Sequence, residues 1–336
     1  MLSDVMEHFG LTRGLRQVGY FATDHHHQIL KDLKVATREG GLIALTGVVG
    51  SGKTVLLERM IEQLRHEGDI EVAESLVFDV PRVTLTTLKL ALYYDLATDK
   101  DGDLPTKAEK SERALMRVMR RCAKPVVLVV DDAHDLHGQT LRGLKQLIEK
   151  THRRGGRLSV VLAGHPKLAN ELKRPAQEEI GARTTLFTLE GIKGHQRRYV
   201  TWLLEQCAAG VDPLDILMPE ALELLAERLM TPLQIEYYLT RALEQAYRLG
   251  EKPVTPAIVM QTLAPDLHDL EPTLARYGYS VKVLAELLNI RHAEVRTFLH
   301  GQLPPGRTEE LHHQLLALGL PLTDSLSPAR HDLATG

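Results

Sequence analysis

The sequence predicts an α/β fold: a parallel sheet covered by helices, then an all-α domain and a small C-terminal helical unit. Three observations predict it. Short apolar runs at 42–46, 126–130, 158–163 and 184–189 alternate with helical patterns, the arrangement that gives parallel strands buried on both faces. A glycine-rich loop sits between the first of these runs and an amphipathic segment. From residue 194 to about 263 the strand signals stop and the pattern is helical throughout.

Taken in order, residues 2–32 read as a helical lead-in with Ser3 and Thr23 as N-caps. The run 42–46 is the first strand. Leu56, Leu57, Met60, Ile61 and Leu64 form the stripe of the helix after the glycine loop. A second strand is expected at 75–80, a helix at 85–96 capped by Thr84 or Thr86, and a polar loop with Gly102 and Pro105 at 99–110. Helices at 111–122 and 141–153 flank the strand 126–130. Trp202, Leu203 and Leu204 are expected in the core of the second domain, and residues 265–272 break its helical run. The expected domains are 1–190 for the sheet with its lead-in, 191–265 for the all-α domain, 279–320 for the C-terminal unit and 321–336 for a tail.

The chain has 336 residues, 43% hydrophobic and 25% charged, an ordinary globular balance that argues against disorder. A formal net charge of −3 gives no global attraction to nucleic acid, so any contact with DNA must come from local patches. Two cysteines, Cys122 and Cys207, exclude a disulfide framework and fit a reducing compartment. Residues 1–10 lack the apolar core of a signal peptide, and 126–130 falls far short of the about 20 residues a membrane helix needs. A cytoplasmic protein with no membrane partner is expected.

The glycine loop carries the chemistry. Gly47-Val48-Val49-Gly50-Ser51-Gly52-Lys53-Thr54 satisfies G-x-x-x-x-G-K-[ST] at every fixed position, between a strand and a helix as the motif requires. Its glycines let backbone N–H groups surround phosphate oxygens at a helix N-terminus. Lys53 is expected on the β- and γ-phosphates, the Thr54 hydroxyl on Mg²⁺, and Val55 beside the nucleotide. The strand 126–130 delivers Asp131 and Asp132 to the sheet edge where such ligands bind. Asp131 is the expected Mg²⁺ carboxylate. Asp132 stands where many such ATPases place a glutamate that orients the attacking water, one methylene shorter here. ATP and Mg²⁺ are therefore the expected cofactors.

The order Lys53, Asp131, then Val160-Val-Leu-Ala-Gly164-His165-Pro166, then Ile180-Gly-Ala-Arg183, resembles the AAA+ ATPases over roughly residues 1–265. Within them it resembles the ExeA-like group and the transposition regulators of the MuB and TnsC type. The resemblance implies that His165 is the sensor-1 residue feeling the γ-phosphate, against the plainer reading of a histidine capping a turn before Pro166. It implies that Arg183 is an arginine finger inserted into a neighbouring subunit, with Arg174 as the alternative. It also marks a departure. Where the family places a sensor-2 arginine this chain reads Thr231-Pro232-Leu233-Gln234, with Arg228 and Arg241 nearby.

Residues 284–298 follow a helix-turn-helix pattern, with Ala285 at the crossing, Asn289 in the turn, and Arg291, Arg296, Thr297 and His300 facing outward. DNA contact and protein docking both remain open for it. The basic run from His152 to Arg157 reads either as a phosphate contact or as a solvated loop, and His25-His26-His27 as solvated surface. The function implied by resemblance is an ATPase that forms a ring or filament on double-stranded DNA and recruits or regulates a transposase or integrase. The alternatives are an ExeA-like secretion ATPase and a nucleotide-dependent scaffold switch with little hydrolysis.

Overall fold

The computed structural model describes residues 3–74, 83–133, 136–174, 177–208, 210–263, 270–318 and 320. They form two compact units, 1–264 and 265–336. The first contains α1 (Ser3–Phe9), a 3₁₀ turn (Leu15–Gln17), α2 (Asp24–Glu39), β1 (Gly41–Thr46), α3 (Lys53–Glu67) and β2 (Glu71–Glu74). There follow α4 (Leu85–Leu96), α5 (Ala108–Arg121), β3 (Val126–Val130), α6 (Gly138–Arg153), β4 (Leu158–Gly164), α7 (Pro166–Leu172), α8 (Glu178–Gly181) and β5 (Thr184–Thr188). It ends with α9 (Gln196–Cys207), α10 (Pro213–Ile216), α11 (Pro219–Arg228), α12 (Pro232–Leu249) and α13 (Pro256–Thr262).

The five strands form one sheet in the order β2-β3-β4-β1-β5, and every pairing is parallel. Because successive strand residues face opposite sides, the central strands β1, β3 and β4 feed two cores. Leu42, Ala44, Leu128, Val130, Val160 and Leu162 pack under α4, α5, α6 and α7. Ile43, Leu45, Val127, Val129, Val161 and Ala163 pack under α2 and α3. The central strands are apolar on both faces for that reason, as expected for a parallel sheet.

Several expectations need correction. The second strand of the sheet lies at Glu71–Glu74, and the expected strand at 75–80 falls outside the described residues. Of the two expected caps of the lead-in, Thr23 caps α2 by accepting from the His26 N–H, while Ser3 lies inside α1 rather than before it. His26 is buried, not solvated: its Nδ1 accepts from the Thr23 N–H at 3.3 Å, and the α2 stripe carries it inward while His25 and His27 stay exposed. Trp202 is half-buried on Phe21 and Tyr199, while Leu203 and Leu204 are core.

The amino end is sewn to distant parts of the first unit. Leu11 bridges Ala208, Thr12 donates through N–H and hydroxyl to the Cys207 carbonyl, and Lys252 donates to the His8 carbonyl at 2.8 Å. Val5 and Phe9 are buried there.

Inside the helical part, the Tyr199 hydroxyl donates to Glu236 Oε1 at 2.7 Å. Burial pushes the Glu236 carboxyl above its ordinary value, against the opposing effects of Tyr199 and Arg16. A carboxyl raised on folding contributes fully below its unfolded value, and that contribution is lost as pH rises through the folded value. Glu236→Gln, which keeps the acceptor without the charge, should therefore melt higher than the parent at pH 7. The gap should close as pH falls toward about 4.3, the ordinary glutamate value; thermal melts across pH check this.

The second unit holds α14 (Leu270–Arg276), α15 (Val281–Leu288), α16 (His292–Leu299) and α17 (Pro305–Ala317) around Leu274, Leu284, Val295, Phe298 and Leu311. Its first helix begins before the expected residue 279. Pro272 does not break the chain there, since it falls in the first turn of α14, where no helical N–H bond is lost. Between α15 and α16, Asn289 adopts φ +52°, the left-handed turn that asparagine tolerates, and Ala285 is buried at the crossing.

Candidate nucleotide-binding site

The loop between β1 and α3 is the centre of the site. Gly50 and Gly52 have φ of +79° and +94°, conformations open to glycine and costly to other residues. A side chain at Gly47 would meet Ser51 Oγ at 2.6 Å and the Leu189 carbonyl at 2.7 Å, so the loop runs tightly against the chain after β5. Ser51 Oγ is buried with no hydrogen-bond partner. Val48 and Val49 are half-buried, and Val55 is exposed on α3. Helix geometry leaves the first N–H groups of α3 without intrahelical partners, aimed into the loop.

Lys53 is buried at 8% exposure, and its Nζ donates to the Gly47 and Val48 carbonyls at 2.9 and 3.0 Å. Burial pushes this ammonium below its ordinary value, partly offset by Asp131 and Asp132. The Thr54 hydroxyl donates to Asp131 Oδ2 at 2.7 Å, joining the glycine loop to the tip of β3. Asp131 Oδ1 accepts from the Asp132 N–H at 2.8 Å. Asp132 is exposed and held at φ +50°, in the left-handed region that costs a residue with a side chain.

The hydroxyl and carboxylate of Thr54 and Asp131 are hard oxygen donors in contact, a pair that suits Mg²⁺. Such an ion takes one or two carboxylates and completes its shell with water and substrate phosphates. His165 follows β4, which lies between β3 and β1, so it shares an edge with Asp131 and the glycine loop. It occupies the backbone N-cap position of α7, directly before Pro166.

Arg183 stands apart. It precedes β5 at the opposite edge of the sheet, bonded to Glu149 at 2.9 Å and 63% exposed in its side chain. Five strand residues at about 3.3 Å each separate it from the nucleotide edge, beyond the reach of an arginine in the same copy. His152, Arg153 and Arg157 line the same groove as Arg183, so the sheet brings the basic run and the arginine together. Arg174 pairs with Glu171 at 3.1 Å.

Residues 36–172 match a family model described as AAA domain. The fold is that of the AAA+ P-loop NTPases. The chain is 30% identical over 241 residues to general secretion pathway protein A of Aeromonas hydrophila, covering 70% of this chain and 42% of that protein. It thus spans about two-fifths of that relative's length. Among solved structures it resembles Cdc6p from Pyrobaculum aerophilum, with TM-score 0.52 and 17% identity over 96% of this chain and 92% of that one. It also resembles the Drosophila ORC bound to DNA, with TM-score 0.53 and 16% identity over 93% and 83% of the two chains. At these identities the two structural likenesses concern the fold alone.

Two features near the glycine loop are not legible in the sequence. The start of α12 rests on the loop: a Cβ on Gly50 would lie 2.5 Å from Leu233 Cβ and 2.9 Å from Thr231 Oγ1. The segment that lacks a sensor-2 arginine therefore meets the loop with a capped helix end, Thr231 accepting from the Gln234 N–H. Arg241 instead stacks on Tyr237. Gly50, far away in sequence, could not be read from Thr231-Pro-Leu-Gln234 as its partner. The second feature is a groove of about 630 Å³ running from Val55 along α3, lined by Arg16, Tyr20 and Arg59. There the Arg59 guanidinium lies 4.4 Å from the Tyr20 ring.

Proposed function

We propose that this chain binds Mg-ATP at residues 47–55 and hydrolyses it within an oligomer assembled on double-stranded DNA. In that assembly it recruits or regulates a transposase or integrase. The observation that carries the reading is the 2.7 Å contact between Thr54 and Asp131, which joins a complete glycine loop to an acid-tipped strand. Lys53 exchanges its two carbonyl partners for phosphate oxygens, Thr54 and Asp131 hold the magnesium ion, and Asp132 orients the attacking water. His165 senses the γ-phosphate from the strand between them. The ion, when bound, offsets phosphate charge. AAA+ proteins generally hydrolyse ATP, and Asp132, shorter than glutamate, makes this chain a slow example.

The oligomer follows from Arg183. An arginine on the far edge of the sheet serves only a nucleotide held by another copy, where its guanidinium meets developing phosphate charge. In this reading residues 191–265 act as the lid, coupled to the loop through Thr231 and Leu233. DNA contact is supported by the second unit. There the inward-leaning acid Glu294 is tied to Arg307 at 2.8 Å, leaving Arg291, His292, Arg296 and His300 exposed on and beside α16.

A second reading, an ATPase working in secretion, is favoured by the identity to general secretion pathway protein A. No helix among the described residues is long and apolar enough to cross a membrane. The two readings separate in one assay. Turnover stimulated by double-stranded DNA, with rings or filaments seen by electron microscopy, supports the first; turnover indifferent to DNA and particles that stay single remove it. Asp132→Asn should leave nucleotide affinity intact and slow turnover by about 100- to 10,000-fold, the usual effect of losing a positioned acid–base group. Unchanged turnover takes Asp132 out of the mechanism.

A further inference from the structure

The helix α5 carries a charge pattern that the nucleotide site does not use. Lys110, Arg113, Arg117 and Arg120 are all exposed, spaced three, four and three residues apart. At 3.6 residues per turn they fall within an arc of about 80° on one face. The opposite face is buried: Leu115, Met116, Val118 and Met119 lie in the core under the sheet. The pattern is thus a ridge of cations anchored by its apolar side. It belongs to a chain whose net charge is −3.

The acids around it are largely spoken for. Glu112 receives Lys150 at 2.7 Å and turns toward α6. Asp101 is held by Arg121 at 2.6 Å and by the Thr98 N–H and hydroxyl, which pull its carboxyl well below the usual carboxylate range. Glu109 remains as the one acid on the exposed side of the helix. Among the described residues, none of the four stripe cations makes an ion pair, in contrast to Lys34, Arg38, Lys145, Arg183 and Arg307 elsewhere. Surface cations left together on one face repel each other, and a polyanion relieves that repulsion.

We propose that this face of α5 binds the phosphate backbone of double-stranded DNA without reading its sequence. The dimensions agree. From Lys110 to Arg120 the helix rises about 15 Å, and one DNA strand carries a phosphate about every 3.4 Å of axis. Four cations therefore meet about four phosphates. Arginine suits the task because its fork matches two phosphate oxygens at once. The contact positions the protein on the duplex, while any base reading belongs to α16. This inference rests on the DNA-bound reading above and adds a surface to it.

The test uses the full-length chain and a double-stranded DNA of mixed sequence, titrated from low to moderate salt. Arg113→Gln with Arg117→Gln removes two charges from exposed positions, so the buried face of α5 is untouched. Unaltered circular dichroism and retained nucleotide binding verify the fold. The parent's plot of log affinity against log salt should flatten by about 1.8, since each phosphate contact contributes about 0.9. Arg113→Lys with Arg117→Lys should restore most of that slope. If the parent binds DNA and the glutamine variant keeps the full slope, the α5 surface is overturned while the DNA-bound reading stands. If the parent binds no DNA at all, both fall. A variant that loses affinity for phosphatidylglycerol vesicles but not for DNA also overturns the proposal, by assigning the stripe to a lipid surface.

Discussion

Lys53→Ala is expected to abolish measurable ATP binding while leaving the fold in place. The ammonium lies at the base of the glycine loop, 8% exposed, and two loop carbonyls hold it there. A phosphate seated in the loop would exchange those neutral acceptors for charged ones. Charge-assisted hydrogen bonds contribute about 1.5–3 kcal/mol each, so two of them amount to about 100- to 10,000-fold in affinity. Neither Arg183, on the far edge of the sheet, nor Arg241, stacked on Tyr237, can substitute for it. Equilibrium binding of a fluorescent ATP analogue checks it. Affinity within threefold of the parent would remove Lys53, and with it the phosphate cradle, from the binding site.

Gly50→Ala is expected to destabilise the protein more than Gly52→Ala. Both positions have positive φ, which costs a residue with a Cβ about 1–2 kcal/mol. At Gly52 that is the whole cost, because a Cβ there meets nothing within 4 Å. At Gly50 the new carbon overlaps Leu233 Cβ and Thr231 Oγ1, so either the loop or the first turn of α12 must move. Overpacking of this kind adds about 1–3 kcal/mol. Denaturant midpoints should order the three proteins as parent, Gly52→Ala, Gly50→Ala. Amide exchange should quicken at residues 233–235 in Gly50→Ala alone. Equal midpoints for the two variants would mean that α12 does not bear on the loop.

What the sequence made legible, and what it did not, has a physical explanation. The run 126–130 and the helix starts at Thr23 and Thr84 were readable because strand apolarity and capping are local signals. The phosphate loop was readable because its chemistry demands particular residues at fixed spacing. Glu71-Val-Ala-Glu74 was not read as a strand because only Ala73 among its residues is buried and its polar ends resemble a loop. His26 was misjudged because three histidines in a row look solvated until the helix stripe through Ile29, Leu30 and Leu33 turns the middle one inward. The contact of Leu233 with Gly50 and the distance of Arg183 from the loop were beyond reach. Both depend on which elements tertiary packing brings together, and residue spacing does not carry that.

The stitching of the amino end has a consequence for how the chain is made. His8 meets Lys252 across 244 positions, and Thr12 meets Cys207 across 195. Residues 5–12 therefore wait, at about 5–20 residues per second, for partners synthesised many seconds later. Until then Val5 and Phe9 have nowhere to hide. A nascent chain cut short before Cys207 would expose them as a sticky end for chaperones, and a late synonymous-codon pause would lengthen that exposure without altering one amino acid.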